Sequence, residues 1–303
     1  MEELPLREVG HGEVRVCIRA IGVNPVDTYI RSGSNPQQTL PYTPGIDAAG
    51  VVEAIGTGVN RVKVGDRVYI GGTLTGTYAE YALCQAAQVF PLPGCLTFAQ
   101  GAAINVPYGT AYRALYQRGQ AVPGEIAFIH GATGGVGVAA VQLGRSGGLT
   151  VIATGGTERG RELAAQQGAH HVLNHHEPDY LSKVMPLTEG HGVDVIVEML
   201  ANLNLAKDIP LLAQRGRLVV VGSRGNIEIN PRELMKRDAD IRAMILFNAS
   251  PREMVGIHAA LAPGLANGTL RPVIGKEIPM AEADRAHRAV LEAGAYGKIV
   301  LVP

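Results

Sequence analysis

The sequence predicts an α/β protein of two domains, one β-rich and one a doubly wound parallel sheet covered by helices. Three observations predict it. Short β-branched runs broken by turn residues fill roughly the first hundred positions. A buried strand then runs straight into a glycine-rich turn and an apolar helix at 126–144, and from there apolar strands alternate with helical stretches. With 303 residues, 46% of them apolar and 18% charged, the chain has material for more than one core and too little charge for a disordered polymer.

Taken in order, Val14–Ala20, Ala49–Ile55, Arg67–Ile70 and Tyr78–Leu83 read as strands. Gly65-Asp66 marks a turn, and Pro41-Tyr42-Thr43-Pro44-Gly45 reads as loop. Near residue 99 the period becomes helical, through Phe98–Ala103 and Thr110–Leu115 with Pro107 between them. Strands follow at Ile126–His130, Val151–Thr154, His171–Asn174, Val193–Glu198 and Arg217–Gly222, each separated from the next by a helical stretch. That order specifies a parallel sheet with right-handed crossovers. A helix from Pro251, a strand near Pro272–Ile278, a helix over Met280–Ala293 and a strand at Lys298–Val302 close the chain and return it to the first domain. The expected division is 1–104 with 248–303 for the β-rich domain, and 105–247 for the parallel sheet.

Twenty-seven basic and 27 acidic side chains leave no net charge, so the sequence carries no electrostatic footprint for nucleic acid or an anionic membrane. Three cysteines, Cys17, Cys84 and Cys95, without C-x-x-C spacing, argue against a disulfide framework and a thiolate zinc cage. No apolar run approaches the about eighteen residues of a membrane span, and the acidic start lacks a signal-peptide core. A soluble cytoplasmic protein is the expectation.

Ile126–His130 leads into Gly131-Ala132-Thr133-Gly134-Gly135-Val136-Gly137 and then a helix, the strand–turn–helix context of a Rossmann dinucleotide site. Glycines there permit positive φ and close backbone approach to a pyrophosphate, which rests on the free amides of the helix start. A site for NAD would place a carboxylate at the tip of the second strand, whereas here Val151–Thr154 ends in Gly155-Gly156-Thr157. A 2′-phosphate meets no repulsion, and Arg159 or Arg161 stands close enough to pair with it, so NADP is favoured. The same two arginines also fit a solvated helix face. The histidines His170, His171, His175 and His176 lie on and beside a predicted strand, where neighbouring side chains alternate faces, so they do not converge on a metal.

These motifs together resemble the zinc-free quinone oxidoreductases of the medium-chain dehydrogenase/reductase superfamily, and the zeta-crystallins above all. Gly22–Val26, Thr28–Gly33, Pro41–Gly45, the glycine turn, Glu198–Asn202, Val219–Arg224 and Glu228–Arg232 carry the resemblance. It implies a GroES-like catalytic domain beside the Rossmann domain. Where the zinc alcohol dehydrogenases place ligand cysteine and histidine, this chain has Asn24 and Ile46, which implies no zinc and no metal site. It further implies NADP contacts from Tyr29, Thr133, Gly134, Gly135, Val136, Gly156, His175, Asn204, Val221, Gly222, Ser223 and Arg224, with the backbone of Met244, Ile245 and Leu246 beside the nicotinamide. Family members carry a further hairpin before the stretch matching Leu4, so Val14–Ala20 is expected to be an exposed edge strand.

The expected function is zinc-independent, NADPH-dependent quinone reduction in a cleft between the domains. Tyr29 and Asn24 would orient the quinone oxygen as catalytic donors, and Asp27 would assist. Asn24 before Pro25 also fits a turn, and Asp27 also fits a helix cap. Reduction of enones or alkenals is an alternative activity. A crystallin-type structural role, RNA binding and a homo-oligomer, dimer or tetramer, rest on the resemblance alone.

Overall fold

The computed structural model describes residues 2–34 and 38–303, which divide into two compact units. The first runs to Val106 and takes back Ala262–Ala293 and Gly297–Pro303; the second is Pro107–Leu261 with Gly294–Tyr296. The chain therefore returns to the first unit at Ala262 and not at residue 248. The reason is packing, since the fully buried Ile257 lies, like Leu246, against Gly109 of the second unit.

In chain order the first unit supplies strands β1 (Glu13–Gly22), β2 (Asp47–Ile55), β3 (Arg67–Gly71), β4 (Tyr81–Gln85) and β5 (Val89–Pro91). The second supplies β6 (Ile126–Ile129), β7 (Thr150–Gly155), β8 (His171–Asn174), β9 (Val193–Glu198), β10 (Leu212–Val220) and β11 (Asp240–Ala243). β12 (Ile274–Pro279) and β13 (Lys298–Val302) belong again to the first.

In the first unit the strands run β12-β13-β1-β2-β3-β5, with β4 also on β1. Alternation sets the core here: Val14, Val16 and Ile18 point inward from β1 and join Val52, Val68, Ile70 and Leu301 in one apolar cluster. The expectation of an exposed edge at Val14–Ala20 is overturned. The first half of β1 pairs β4, its last residues pair β13, and β2 lies along nearly its whole length. Register shifts after Arg15 and Ile18 bend the strand so that it can serve partners on different lines.

In the second unit the order is β11-β10-β9-β6-β7-β8, with every pair parallel. Strands covered on both faces read as continuous apolar runs, and Val151, Ile152 and Ala153 of β7 are all fully buried. Phe128, Ile152, Ile196 and Leu218, one from each of four neighbouring strands, join one cluster. Strand order reverses between β6 and β9, and the crevice beyond the carboxyl ends at such a switch point is where ligands bind in open α/β sheets. The strand expected at Arg217–Gly222 begins earlier, at Leu212, and ends at Val220. β11 was not expected, and the helix expected over Met280–Ala293 is confined to Ala283–Ala289 after a single 3-10 turn. Among the described residues no helix is long and apolar enough to cross a membrane.

Candidate active site

The glycine turn emerges at the carboxyl end of β6. Gly131 adopts φ +57°, a left-handed conformation that glycine reaches without strain. Gly137 is pinned more tightly still. A Cβ on it would lie 2.1 Å from the Gly131 carbonyl oxygen and 2.5 Å from the Ala132 Cα, so helix and turn meet backbone to backbone. The helix Gly135–Ser146 begins with Gly134 as N-cap, and no side chain caps it or places an acid in its first turn. Its first amides are left for an anion, and the positive end of the helix dipole faces the same way. This geometry fits a pyrophosphate.

The tip of β7 carries Gly155, Gly156 and Thr157 and no carboxylate. A Cβ on Gly156 would lie 2.7 Å from Nε2 of His175 and 2.6 Å from Nε2 of His176. The two imidazoles stack edge to face at 4.6 Å, and burial together with His176 depresses the pKa of His175. Thr157 caps the helix Glu158–Gln166 by accepting from the Gly160 amide. Arg161 donates back to the Gly156 carbonyl at 3.3 Å. Arg159 lies 3.9 Å over the ring of Tyr296, so a residue near the far end of the chain holds the guanidinium. Neither arginine pairs with Glu158 or Glu162 in any ion pair found among the described residues.

The other expected contacts gather at the carboxyl ends of β9, β10 and β11. Val221 donates to the Glu198 carbonyl at 2.8 Å, and the Ala201 amide donates to that of Gly222 at 2.9 Å. Asn202 accepts from the Arg224 amide at 2.8 Å, and the Ser223 hydroxyl donates to the Gly225 carbonyl. The Met244 amide donates to the Val220 carbonyl at 3.1 Å. Met244 and Leu246 are buried while Ile245 is 58% exposed, so the first two face the core and the third faces out.

Beneath this rim, Glu198 accepts from the Leu200 amide and from Nδ2 of Asn204, the latter at 3.2 Å. His130 Nε2 lies 3.3 Å from Glu198 and 3.0 Å from Asp208. Burial raises both carboxyls to about 7 and holds the His130 imidazole below its ordinary range. Among the described residues these three form a grouping with metal-donor spacing; no such grouping there includes His170, His171, His175 or His176.

The three residues expected to carry catalysis sit in the first unit, around the short helix Pro25–Arg31. Tyr29 is 39% exposed. Asn24 is not: it is buried, its Nδ2 donates to Asp47 at 3.0 Å, and its Oδ1 accepts from the Lys298 ammonium. Asp27 is buried as well, and its Oδ2 accepts from the Asn24 amide at 2.8 Å in a capping box. Asp47 further accepts from Asn105 Nδ2 at 3.0 Å and from the Val106 amide at 3.1 Å, with Lys298 Nζ at 3.6 Å. Burial pushes the Asp47 pKa up and that of Lys298 down. Nothing in the spacing of Asn24, Asp47, Asn105 and Lys298 shows that they meet. The one sequence sign is a charge at the first position of a mostly apolar strand, Asp47 in β2 and Lys298 in β13.

An alcohol dehydrogenase GroES-like domain model matches residues 10–94, and a zinc-binding dehydrogenase model matches residues 135–261. These two domains in this order define a medium-chain dehydrogenase/reductase. Quinone oxidoreductases of Sus scrofa and Homo sapiens are 49% and 47% identical over 292 residues, covering 96% of this chain and 89% of each relative. The solved quinone oxidoreductase of Escherichia coli complexed with NADPH superposes with a TM-score of 0.87 at 28% identity, covering 100% of this chain and 95% of the other. The chain belongs to the quinone oxidoreductase family of that superfamily.

Proposed function

We propose that the protein is an NADPH-dependent quinone oxidoreductase that works without zinc. The observation that carries this reading is the combination of an uncapped helix start behind the glycine turn with a β7 tip that bears glycines, imidazoles and arginines where a carboxylate would exclude a 2′-phosphate. Bound there, NADPH would supply hydride. The amides from Gly135 onward would hold its pyrophosphate, and Arg159 with His175 its 2′-phosphate. Asn204, fixed with Nδ2 on Glu198, would offer its carbonyl oxygen to a ribose hydroxyl. Val221–Arg224 and the backbone of Met244–Leu246 would border the nicotinamide end.

Tyr29 is the donor best placed to orient the acceptor, because its side chain is exposed. Asn24 and Asp27 belong to the same helix start, but Asn24 has both ends of its amide engaged and acts by holding that start in place. Independence from zinc is supported by the donor set. Ile46 has no ligand atom, and the positive charge beside Asn24 is the Lys298 ammonium. A quinone needs less Lewis-acid help than an alcohol, since its reduction yields a delocalised aromatic anion.

A cytoplasmic location is supported by three cysteines without disulfide bonds. A homo-oligomeric state and any RNA binding have only family resemblance behind them, and zero net charge does not favour the latter. Titration with NADPH and NADH followed by a panel of quinones and enones tests the reading. Binding of NADPH with turnover of ortho- or para-quinones is expected, while turnover of enones alone would replace the acceptor class. Tyr29→Ala is expected to lower quinone turnover at least about tenfold, roughly 1.4 kcal/mol of transition-state stabilisation. Unchanged kinetics in a folded variant would remove Tyr29 from the site.

A further inference from the structure

Two imidazoles meet beside Gly156, where one would suffice for a hydrogen bond. The nitrogens Nε2 of His175 and His176 both lie within 2.7 Å of the place a Gly156 Cβ would take, so they converge on one point. Neighbours in a strand point to opposite faces, but β8 ends at Asn174. Its Oδ1 accepts from the His176 amide at 3.0 Å, and its carbonyl accepts from the Glu177 amide at 3.1 Å. That turn lets both rings face Gly156. Both residues are exposed, and among the described residues neither ring has a hydrogen bond or an ion pair. Such a pair offers two N–H donors to an anion. Two imidazoles can also chelate a transition cation, but no third donor joins them among the described residues. The Arg161 guanidinium, whose charge reaches His175, would repel a cation as well.

We propose that His176 completes the 2′-phosphate site, and that His175 and His176 together take up one proton from solvent when that phosphate binds. The proposal deepens the NADPH reading and rests on it. One ring becomes an imidazolium and the other stays neutral, each turning an N–H toward the phosphate, and no covalent bond to the coenzyme forms. NAD lacks the group, so its binding draws no proton to the pair. Selection between the two coenzymes then depends on pH, through residues that Arg159 does not replace.

Burial lowers the pKa of His175, and His176, His130 and Arg161 lower it further, so without the phosphate this ring is kept neutral near pH 7. The charged groups around the pair are Arg161 of the helix after β7, His130 next after β6, and Glu177, which follows them in the chain. Glu177 is held by Lys183 at 2.6 Å, and Arg159 lies over Tyr296. A phosphate monoester is mostly a dianion above about pH 6. Beside the rings it reverses the balance and favours the imidazolium. Affinity should therefore fall as pH rises from about 6.5 toward 8, because the proton to be taken up becomes scarcer. Below about pH 6 the phosphate is itself protonated and the gain ends.

The test is calorimetric titration with NADP⁺ and NAD⁺, which differ only in the 2′-phosphate and are both stable in mild acid. It uses phosphate-free buffers of differing ionisation enthalpy between about pH 6.5 and 8, where imidazoles titrate. The proteins are wild type, His176→Gln, His176→Arg and His175→Gln/His176→Gln. Wild type should take up about 0.5–1 proton with NADP⁺ near pH 7 and bind it about three- to tenfold more weakly at pH 8 than at 6.5. NAD⁺ should show neither effect. His176→Gln should weaken NADP⁺ at least about fivefold at pH 6.5 and less at pH 8. Its NAD⁺ affinity should stay within about twofold of wild type, which also reports an intact fold. The double variant should bind NADP⁺ with no proton uptake in this range. His176→Arg should bind NADP⁺ at about pH 8 at least as tightly as wild type, because its charge does not titrate; a merely structural histidine would give no such rescue. Unchanged NADP⁺ affinity and proton uptake in His176→Gln, or equal pH dependence for the two coenzymes in the wild type, would overturn the proposal. A wild type that binds NAD⁺ as tightly as NADP⁺ would instead overturn the NADPH reading beneath it.

Discussion

Replacing Lys298 with methionine removes the ammonium from a fully buried pair and leaves the Asp47 carboxylate behind. Breaking such a pair costs about 3–5 kcal/mol, because one charge stays buried without compensation. Protonation sets a ceiling. Keeping neutral at about pH 7 a carboxyl that ionises near 3.9 when unfolded costs about 4 kcal/mol, and Asp47 takes that route when it is cheaper. The amides of Asn24, Asn105 and Val106 still bond to it, so the expected loss is about 3–4 kcal/mol, or roughly 6–15 °C in Tm.

The sign of the pH dependence follows from the same residues. Burial raises Asp47 already in the native protein, and loss of Lys298, which lowers it, raises it further. Stability tied to a raised carboxyl is full below the unfolded value and is lost as pH rises through the folded one. The penalty of Lys298→Met should therefore shrink to about 1.5 kcal/mol at about pH 5. Urea titrations followed by circular dichroism at both pH values measure it. The double variant Lys298→Met/Asp47→Asn should recover part of the loss, since no charge remains buried. A penalty below about 1 kcal/mol at neutral pH, or one equal at both pH values, would refute the claim that a buried ion pair organises the start of β13 and β2.

Arg159→Ala should weaken NADPH by roughly 10- to 150-fold, the worth of a charge-assisted bond of about 1.5–3 kcal/mol, and leave NADH unaffected. Equal losses for the two coenzymes would mean that Arg159 serves only to stack on Tyr296. In the second unit, Glu198 and Asp208 are both raised to about 7 by burial. Their contribution to stability is complete at about pH 4 and is lost as pH rises through about 7. His130, lowered by burial, gives stability of the opposite slope on the acid side. With two carboxyls against one imidazole, Tm should fall between about pH 5 and 8, and Glu198→Gln should flatten that fall. An unchanged slope in a series of melting curves would show that the triad does not titrate in this range.

What could be read from the chain depended on whether the physics was local. The glycine turn was legible because its constraint lies within a few residues: Gly137 meets the backbone of Gly131 and Ala132. β7, β8, β9 and β13 were legible as apolar or β-branched runs whose ends fall where turn residues stop them. β11 was not, because Asp-Ile-Arg-Ala carries little apolar signal. It is a strand because the backbone of β10 offers it a parallel partner from Arg217 to Val220. The supposed edge at β1 failed for a related reason. Its second neighbour comes partly from the last residues of the chain, and no inspection of Val14–Ala20 discloses Leu301 opposite Ile21.

The polar network of the first unit makes the same point about function. Asn24 looked like a catalytic donor because it is polar, precedes Pro25 and stands where the resemblance placed zinc ligands elsewhere. Its availability was set by Asp47 and Lys298, 23 and 274 residues away. Asp27 was the weakest of the three as read from its own neighbours, since a capping box explains an aspartate three residues after an asparagine. Its further partners, Tyr78, 51 residues away, and His287, 209 residues beyond Tyr78, are disclosed by the structure alone. A residue's local motif therefore predicts the bond that motif names, while the partners that decide whether the side chain is free for a ligand come from distant strands and helices.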